Sequence, residues 1–154
     1  MRINYAEVRP EAQAALAGVQ RAIKAGGLEP ELLELVKIRS SQLNGCTFCL
    51  DMHTKDARAA GETEQRLYLV AAWREAPVYS GRERAALAWC EAVTLVSESG
   101  VPDDVYALVA QQFDEGEIVD LTVAVIAING WNRMAVAMRS PVGNYKPRLR
   151  TVTA

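Results

Sequence analysis

Apolar residues recur at spacings of three and four along most of the chain, which is the period of helices with one buried face. Alternation with a period of two, which would indicate strands, is scarce. We therefore predict an all-α fold of about seven helices. Their approximate bounds are 10–24, 30–45, 46–61, 63–73, 80–97, a short helix from 102, and 115–138.

Residues at the predicted helix ends support these bounds. Pro30 suits the first turn of a helix, and Thr63 and Ser80 are residue types that cap helix N-termini. Two prolines and a glycine predict that residues 140–154 form an irregular tail. With no repeat or linker in the sequence, we predict a single domain over residues 1–154.

The last predicted helix carries more apolar residues than one buried face requires. Ile126, Ile128, Trp131 and Met134 are distributed around it. This surplus indicates burial on several sides, and we expect a homo-oligomer.

Charge and hydropathy narrow the range of partners. The chain has 17 basic and 19 acidic residues, a net charge of -2, and the two signs are interleaved. We therefore expect no nucleic-acid partner.

The longest strongly apolar run, 123–128, is far shorter than the roughly 20 residues that span a bilayer, and the first residues form no hydrophobic signal core. We expect no membrane association and a reducing, cytoplasmic location, where a CxxC pair is more often catalytic or metal-binding than a permanent staple.

Residues 45–53 hold two of the three cysteines and the only histidine. On a helix, Cys46 and Cys49 are i,i+3 neighbours and Cys49 and His53 are i,i+4 neighbours, so all three lie within about 60° on one face. Such a cysteine pair can form a disulfide with little rearrangement. A helix N-terminus favours the thiolate of Cys46, and His53 can take or return a thiol proton.

Three interpretations of this cluster are open at this point. The first is a redox enzyme, and the second is a non-enzymatic redox sensor or scaffold that uses the same disulfide. The third is a small zinc-binding domain, with Cys46, Cys49 and His53 as ligands and Glu34 or Cys90 as the fourth. The enzyme interpretation requires no metal, flavin or haem, and the sequence has no glycine-rich loop for a nucleotide, so we predict no cofactor.

The spacing Glu34, eleven residues, Cys46-Thr47-Phe48-Cys49, three residues, His53 resembles the AhpD-like alkylhydroperoxidases of the carboxymuconolactone decarboxylase superfamily. The segment 129–133 is similar to a second recurrent element of its small members. The resemblance implies an AhpD-like helical fold, assembly into trimers or hexamers, and a thiol-dependent peroxidase activity.

The same resemblance implies a role for each site residue. Cys49 attacks the hydroperoxide substrate, Cys46 resolves the product to a disulfide, and His53 and Glu34 form a proton relay. An external dithiol, in some members a lipoylated protein, then reduces the disulfide. Phe48 departs from the family's well-studied peroxidases, which have histidine directly before the second cysteine.

Overall fold

The computed structural model describes residues 1–147, which form nine α-helices, one 3₁₀ turn and no strand. The all-α prediction is confirmed. The helices are α1 (Tyr5–Val8), α2 (Pro10–Ala25), α3 (Pro30–Leu43), α4 (Thr47–Ala59), α5 (Glu64–Leu69), α6 (Gly81–Thr94), α7 (Val96–Ser99), α8 (Asp103–Ala110) and α9 (Glu115–Met138), with the 3₁₀ turn Val70–Ala72 after α5.

Capping side chains set the starts of several helices. The Thr63 hydroxyl accepts a hydrogen bond from the backbone N–H of Arg66 at 3.2 Å, at the start of α5. Ser80 forms a capping box with Glu83 at the start of α6, and Asp114 begins α9 in the same way. Each cap satisfies N–H groups that the first turn of a helix leaves without a partner.

The structure differs from the prediction in its short elements. The helices α1 and α7 each have four residues, too few for apolar periodicity to reveal. The predicted helix 80–97 ends at Thr94, because Leu95 leaves helical geometry at φ -100° and ψ 26°. The predicted helix 63–73 divides into α5 and the 3₁₀ turn.

The long helix α9 is the centre of the fold, and α2, α3, α4, α6 and α8 pack against it. Leu121, Val125 and Ile128 are among its buried residues. By length and composition α9 could cross a membrane, but the core helix of a soluble protein passes the same test. Five helices pack against it, and 39% of its most apolar stretch is buried in the single chain.

A second apolar cluster holds α4 and α5 against α3 and α6. It includes Leu35 and Ile38 from α3, Leu67 from α5 and Leu87 from α6. Because α3 is also part of the core around α9, the turn between α3 and α4 is held close to α9.

The segment after α9 has no helix or strand over residues 140–147 and is bonded to the side chains of α4. Gly143 N–H donates to Asp51 at 3.1 Å, Lys55 donates to the Tyr145 carbonyl at 3.2 Å, and the Tyr145 hydroxyl donates to Asp56 at 2.7 Å. The rest of the predicted tail, 148–154, lies outside the described residues.

Candidate redox site

The cysteine pair lies at the start of α4. Gly45, in the turn before it, has φ +62°, a left-handed conformation that favours glycine. Cys46 is the N-cap of α4, and it is joined to Cys49 by a disulfide with the two Cα atoms 5.3 Å apart. Each cysteine is only 1% exposed, so the disulfide is buried.

One backbone N–H group in the first turn of α4 donates to the side chain of Cys46. Its Sγ accepts a hydrogen bond from the N–H of Cys49 at 3.3 Å. In the dithiol form, this N–H and the partial positive charge of the helix end favour the thiolate of Cys46. The first cysteine therefore has a stabilising environment that does not depend on the histidine.

Glu34 and His53 meet across the interface between α3 and α4. The distance between His53 Nδ1 and Glu34 Oε2 is 2.9 Å, and Lys37 donates to the other carboxylate oxygen at 2.7 Å. Burial works to raise the pKa of Glu34, but the hydrogen bond with His53 and the charge of Lys37 outweigh it and lower the pKa to about 2. Glu34 is therefore an ionised carboxylate at neutral pH.

The ionised carboxylate of Glu34 determines which nitrogen of the His53 imidazole carries the hydrogen. A carboxylate only accepts hydrogen bonds, so the bonded Nδ1 carries the hydrogen, and in the neutral ring Nε2 is an acceptor. His53 is 95% buried, at 5% relative exposure, and Nε2 has no hydrogen-bond partner among residues 1–147. His53 lies one helical turn beyond Cys49 on the same face of α4. The arrangement can take a proton from a thiol and hold the resulting imidazolium beside a carboxylate.

A network of asparagine side chains ties the cysteine turn to the buried face of α9. The Asn44 side-chain amide donates to Asn129 and Asn132, each at 2.9 Å. Asn132 donates to the Ser41 hydroxyl at 3.0 Å, and the Ser41 carbonyl accepts from the N–H of Cys46 at 3.0 Å. Sequence reasoning left this element without a role. The signal that would have found it is a pair of asparagines within an otherwise apolar helix, because buried polar groups need partners.

Phe48 covers the cysteine pair. Its half-buried ring packs against the small cluster formed by Cys46, Cys49 and Ala135 of α9. The position inside the CxxC is thus apolar and has no group that can transfer a proton.

The third cysteine is part of the core and not of this cluster. Cys90 lies 3.0 Å from the Ser40 hydroxyl, and burial raises the pKa of its thiol to about 11.

In the part of the chain that the structure describes, one group of three potential metal ligands comes together, Glu34, His53 and Asp56. It contains no cysteine, so the ligand set of the zinc interpretation is not assembled in this disulfide form.

The fold and the site together define an AhpD-like all-helical protein with a CxxC pair at the N-terminus of one helix. Residues 10–92 match the model of the "Carboxymuconolactone decarboxylase family". The chain belongs to this family.

Two relatives of similar length share much of the sequence. The uncharacterized protein YdfG of Bacillus subtilis (strain 168) is 44% identical over 137 residues, which are 89% of this chain and 93% of YdfG. A crystal structure from Agrobacterium tumefaciens, of a protein proposed to be the antioxidant defence protein AhpD, is 46% identical with a TM-score of 0.90. The match covers 94% of this chain and 99% of that one.

The debrominase Bmp8 has the same fold at lower identity. Its TM-score is 0.80 at 21% identity, and the match covers 90% of this chain and 74% of Bmp8. At this identity the likeness concerns the fold alone, and a fold does not by itself determine a reaction.

Proposed function

We propose that this chain is a thiol-dependent peroxidase, which reduces hydroperoxides through a dithiol–disulfide cycle of Cys46 and Cys49. Family membership supports a redox use of the CxxC motif. The observation that carries the proposal is the 2.9 Å hydrogen bond between His53 and Glu34, one helical turn from Cys49. It supplies a proton acceptor with a fixed tautomer beside a thiol.

The first half of the cycle begins when His53 takes the proton of Cys49. The thiolate attacks the terminal oxygen of the hydroperoxide, the O–O bond breaks, and the sulfur is oxidised to a sulfenic acid. The alkoxide leaves and takes the proton from His53, which releases the alcohol. Glu34 stabilises the imidazolium while it holds this proton.

In the second half, the sulfur of Cys46 attacks the sulfenic sulfur of Cys49. A disulfide forms, and the hydroxyl group leaves as water with the proton of Cys46. An external dithiol then supplies two electrons and two protons, becomes a disulfide itself and restores both thiols. We propose a lipoylated protein as this reductant.

We further propose that the protein acts as a homo-oligomer, a trimer or hexamer, in the cytoplasm. The exposed side of α9 supports this assembly, because Val119, Ile126 and Val136 are exposed there in the single chain. An apolar stripe of this kind on a core helix is typical of a subunit contact.

Peroxide turnover tests the proposed function. The reduced protein is mixed with cumene hydroperoxide and dihydrolipoamide, and peroxide consumption is followed. We expect many turnovers per chain, their loss in Cys49→Ser, and their retention in Cys90→Ser, a control thiol outside the site. We expect Phe48→His to raise turnover, because it adds an imidazole beside Cys49.

The redox-sensor interpretation predicts a different result. A sensor would be oxidised once and change its oligomeric state, with no further peroxide consumed by the wild type or by Phe48→His. That outcome contradicts the peroxidase.

A further inference from the structure

Two asparagines of α9 face the cysteine turn, residues 44–46, and have no role in the proposed cycle. Asn132 is 1% exposed and Asn129 is 9% exposed. A buried amide costs free energy unless it is hydrogen-bonded. The side-chain oxygens of both residues accept hydrogen bonds from the amide of Asn44 in the turn, each at 2.9 Å. Two buried polar residues of α9 are therefore directed at one turn.

The amide of Asn132 joins α9 to the backbone of Cys46 in two steps. Its nitrogen donates to the hydroxyl of Ser41 at 3.0 Å, and Ser41 is fully buried. The carbonyl oxygen of Ser41 accepts from the backbone N–H of Cys46, also at 3.0 Å. These bonds hold the backbone of Cys46 and do not involve its sulfur.

The amide of Asn129 joins the same turn to α6. Its nitrogen donates to the hydroxyl of Thr94 at 3.0 Å, and its oxygen also accepts from Arg133 at 2.8 Å. The amide of Asn44 donates in addition to the carbonyl oxygen of Ser40, at 2.9 Å. The cysteine turn is thus bonded to α3, α6 and α9 at once.

The backbone of this turn is not held by regular helical geometry. Gly45 has φ +62°, and glycine has more backbone conformations open to it than other residues. Cys46 is extended, at φ -84° and ψ 90°. In the disulfide form, the bond to Cys49 restricts the turn covalently. In the dithiol form that restraint is lost, and the position of Cys46 depends on the hydrogen bonds of the turn.

We propose that Asn44, Asn129 and Asn132 are positioning residues, which hold Cys46 within bonding distance of Cys49 when both are thiols. A turn that is already in place loses less conformational freedom when the disulfide forms, so the network favours the disulfide at equilibrium. Resting on the proposed function, the same restraint speeds the attack of Cys46 on the sulfenic sulfur of Cys49.

Equilibration with dithiothreitol tests this proposal on the full chain without peroxide. Oxidised dithiothreitol takes two electrons and two protons from the cysteine pair and becomes a dithiol, and alkylation with mass spectrometry gives the fraction of each form. We expect Asn44→Ala to lower the equilibrium constant for disulfide formation about three- to tenfold, since one net hydrogen bond changes an equilibrium by up to about tenfold. This raises the reduction potential by about 15 to 30 mV. Asn132→Ala, which breaks the branch through Ser41, should give a change in the same range.

Two control variants separate positioning from a general loss of stability. Val109→Ala truncates a fully buried side chain of α8, which destabilises the core and removes no bond of the network. Asn144→Ala removes an exposed amide. Both should leave the equilibrium constant as in the wild type. A change below about threefold in either Asn44→Ala or Asn132→Ala would overturn the proposal, and so would an equal change in Val109→Ala.

A trapping experiment separates this inference from the proposed function. Reduced wild type and Asn44→Ala are each mixed with one equivalent of cumene hydroperoxide and with dimedone. We expect more dimedone adduct at Cys49 in the variant, because slower attack by Cys46 leaves the sulfenic acid exposed to dimedone for longer. A changed dithiothreitol equilibrium without peroxide consumption by the wild type refutes the peroxidase and leaves the positioning role. Peroxide turnover by the wild type, with an unchanged equilibrium in both asparagine variants, refutes the positioning role and leaves the peroxidase.

Discussion

Glu34→Gln should destabilise the protein in a pH-dependent way. The pKa of Glu34 is about 2 in the folded chain against an ordinary value of 4.5. A carboxyl group with this difference contributes about 3 kcal/mol to the free energy of unfolding at pH 7, at about 1.4 kcal/mol per pKa unit. Since the side chain is 19% exposed, solvent screening reduces this contribution only in part, and we take the figure as an upper bound.

The sign of the pH dependence follows from the lowered pKa. The stabilisation is fully present above pH 4.5, where the unfolded carboxyl group is also ionised, and it is lost as the pH falls towards 2. By pH 3, about 2 kcal/mol of the upper bound is gone. Glutamine keeps the shape of the side chain without its charge, so the difference between wild type and variant should shrink over this range.

Urea denaturation followed by circular dichroism, at intervals from pH 7 to pH 3, measures this difference. Glu31→Gln is the control, since Glu31 is an exposed acid in the first turn of the same helix. It should cost a few tenths of a kcal/mol with little pH dependence. The reasoning is refuted if Glu34→Gln costs less than about 0.5 kcal/mol at pH 7, or if its cost does not fall with pH.

Three further predictions concern the surroundings of the site. Asn132→Ala should lower the free energy of unfolding by about 2 kcal/mol, because it leaves the hydrogen-bonding partners of that amide unsatisfied. The control Asn144→Ala, at an exposed residue, should change it by less than about 0.5 kcal/mol. Equal costs for the two variants would contradict the network. Gly45→Ala should lower the free energy of unfolding by about 1–2 kcal/mol through backbone strain alone, because the φ of Gly45 is +62° and a Cβ there would meet nothing within 4 Å. Gly18→Ala inside α2 should be neutral or stabilising. Thermal denaturation of the two variants compares these effects. In the native reduced protein at pH 8, Cys90 should resist iodoacetamide, since its pKa is about 11 and it is fully buried, and mass spectrometry that found it alkylated first would contradict this placement.

Local patterns predicted most of the fold and part of the site. The residues Cys46, Cys49 and His53 are separated by one helical turn each, so their shared face follows from sequence spacing. The caps at Thr63 and Ser80 depend on side chains next to the helices they begin, and both were predictable for the same reason.

Contacts between distant segments were not predictable in this way. Helical periodicity does not give the rotation of α3 against α4, so the pairing of Glu34 with His53 rested on the family resemblance before the structure placed them 2.9 Å apart. Asn44 and Asn129 are 85 residues apart in the chain, and no local rule joins them. The proton relay assigned to Glu34 and His53 stays a prediction, as do the separate roles of the two cysteines.

Those roles give the most direct test of the central claim, which is attack by Cys49. The N-terminus of α4 favours the thiolate of Cys46, whereas His53 favours reaction at Cys49. Reduced Cys46→Ser and Cys49→Ser proteins are each treated with one equivalent of cumene hydroperoxide in the presence of dimedone, and the sulfenic acid adduct is followed by mass spectrometry. The account predicts rapid labelling of Cys49 in Cys46→Ser and slow labelling of Cys46 in Cys49→Ser. Faster labelling of Cys46, or no adduct at Cys49, would contradict it.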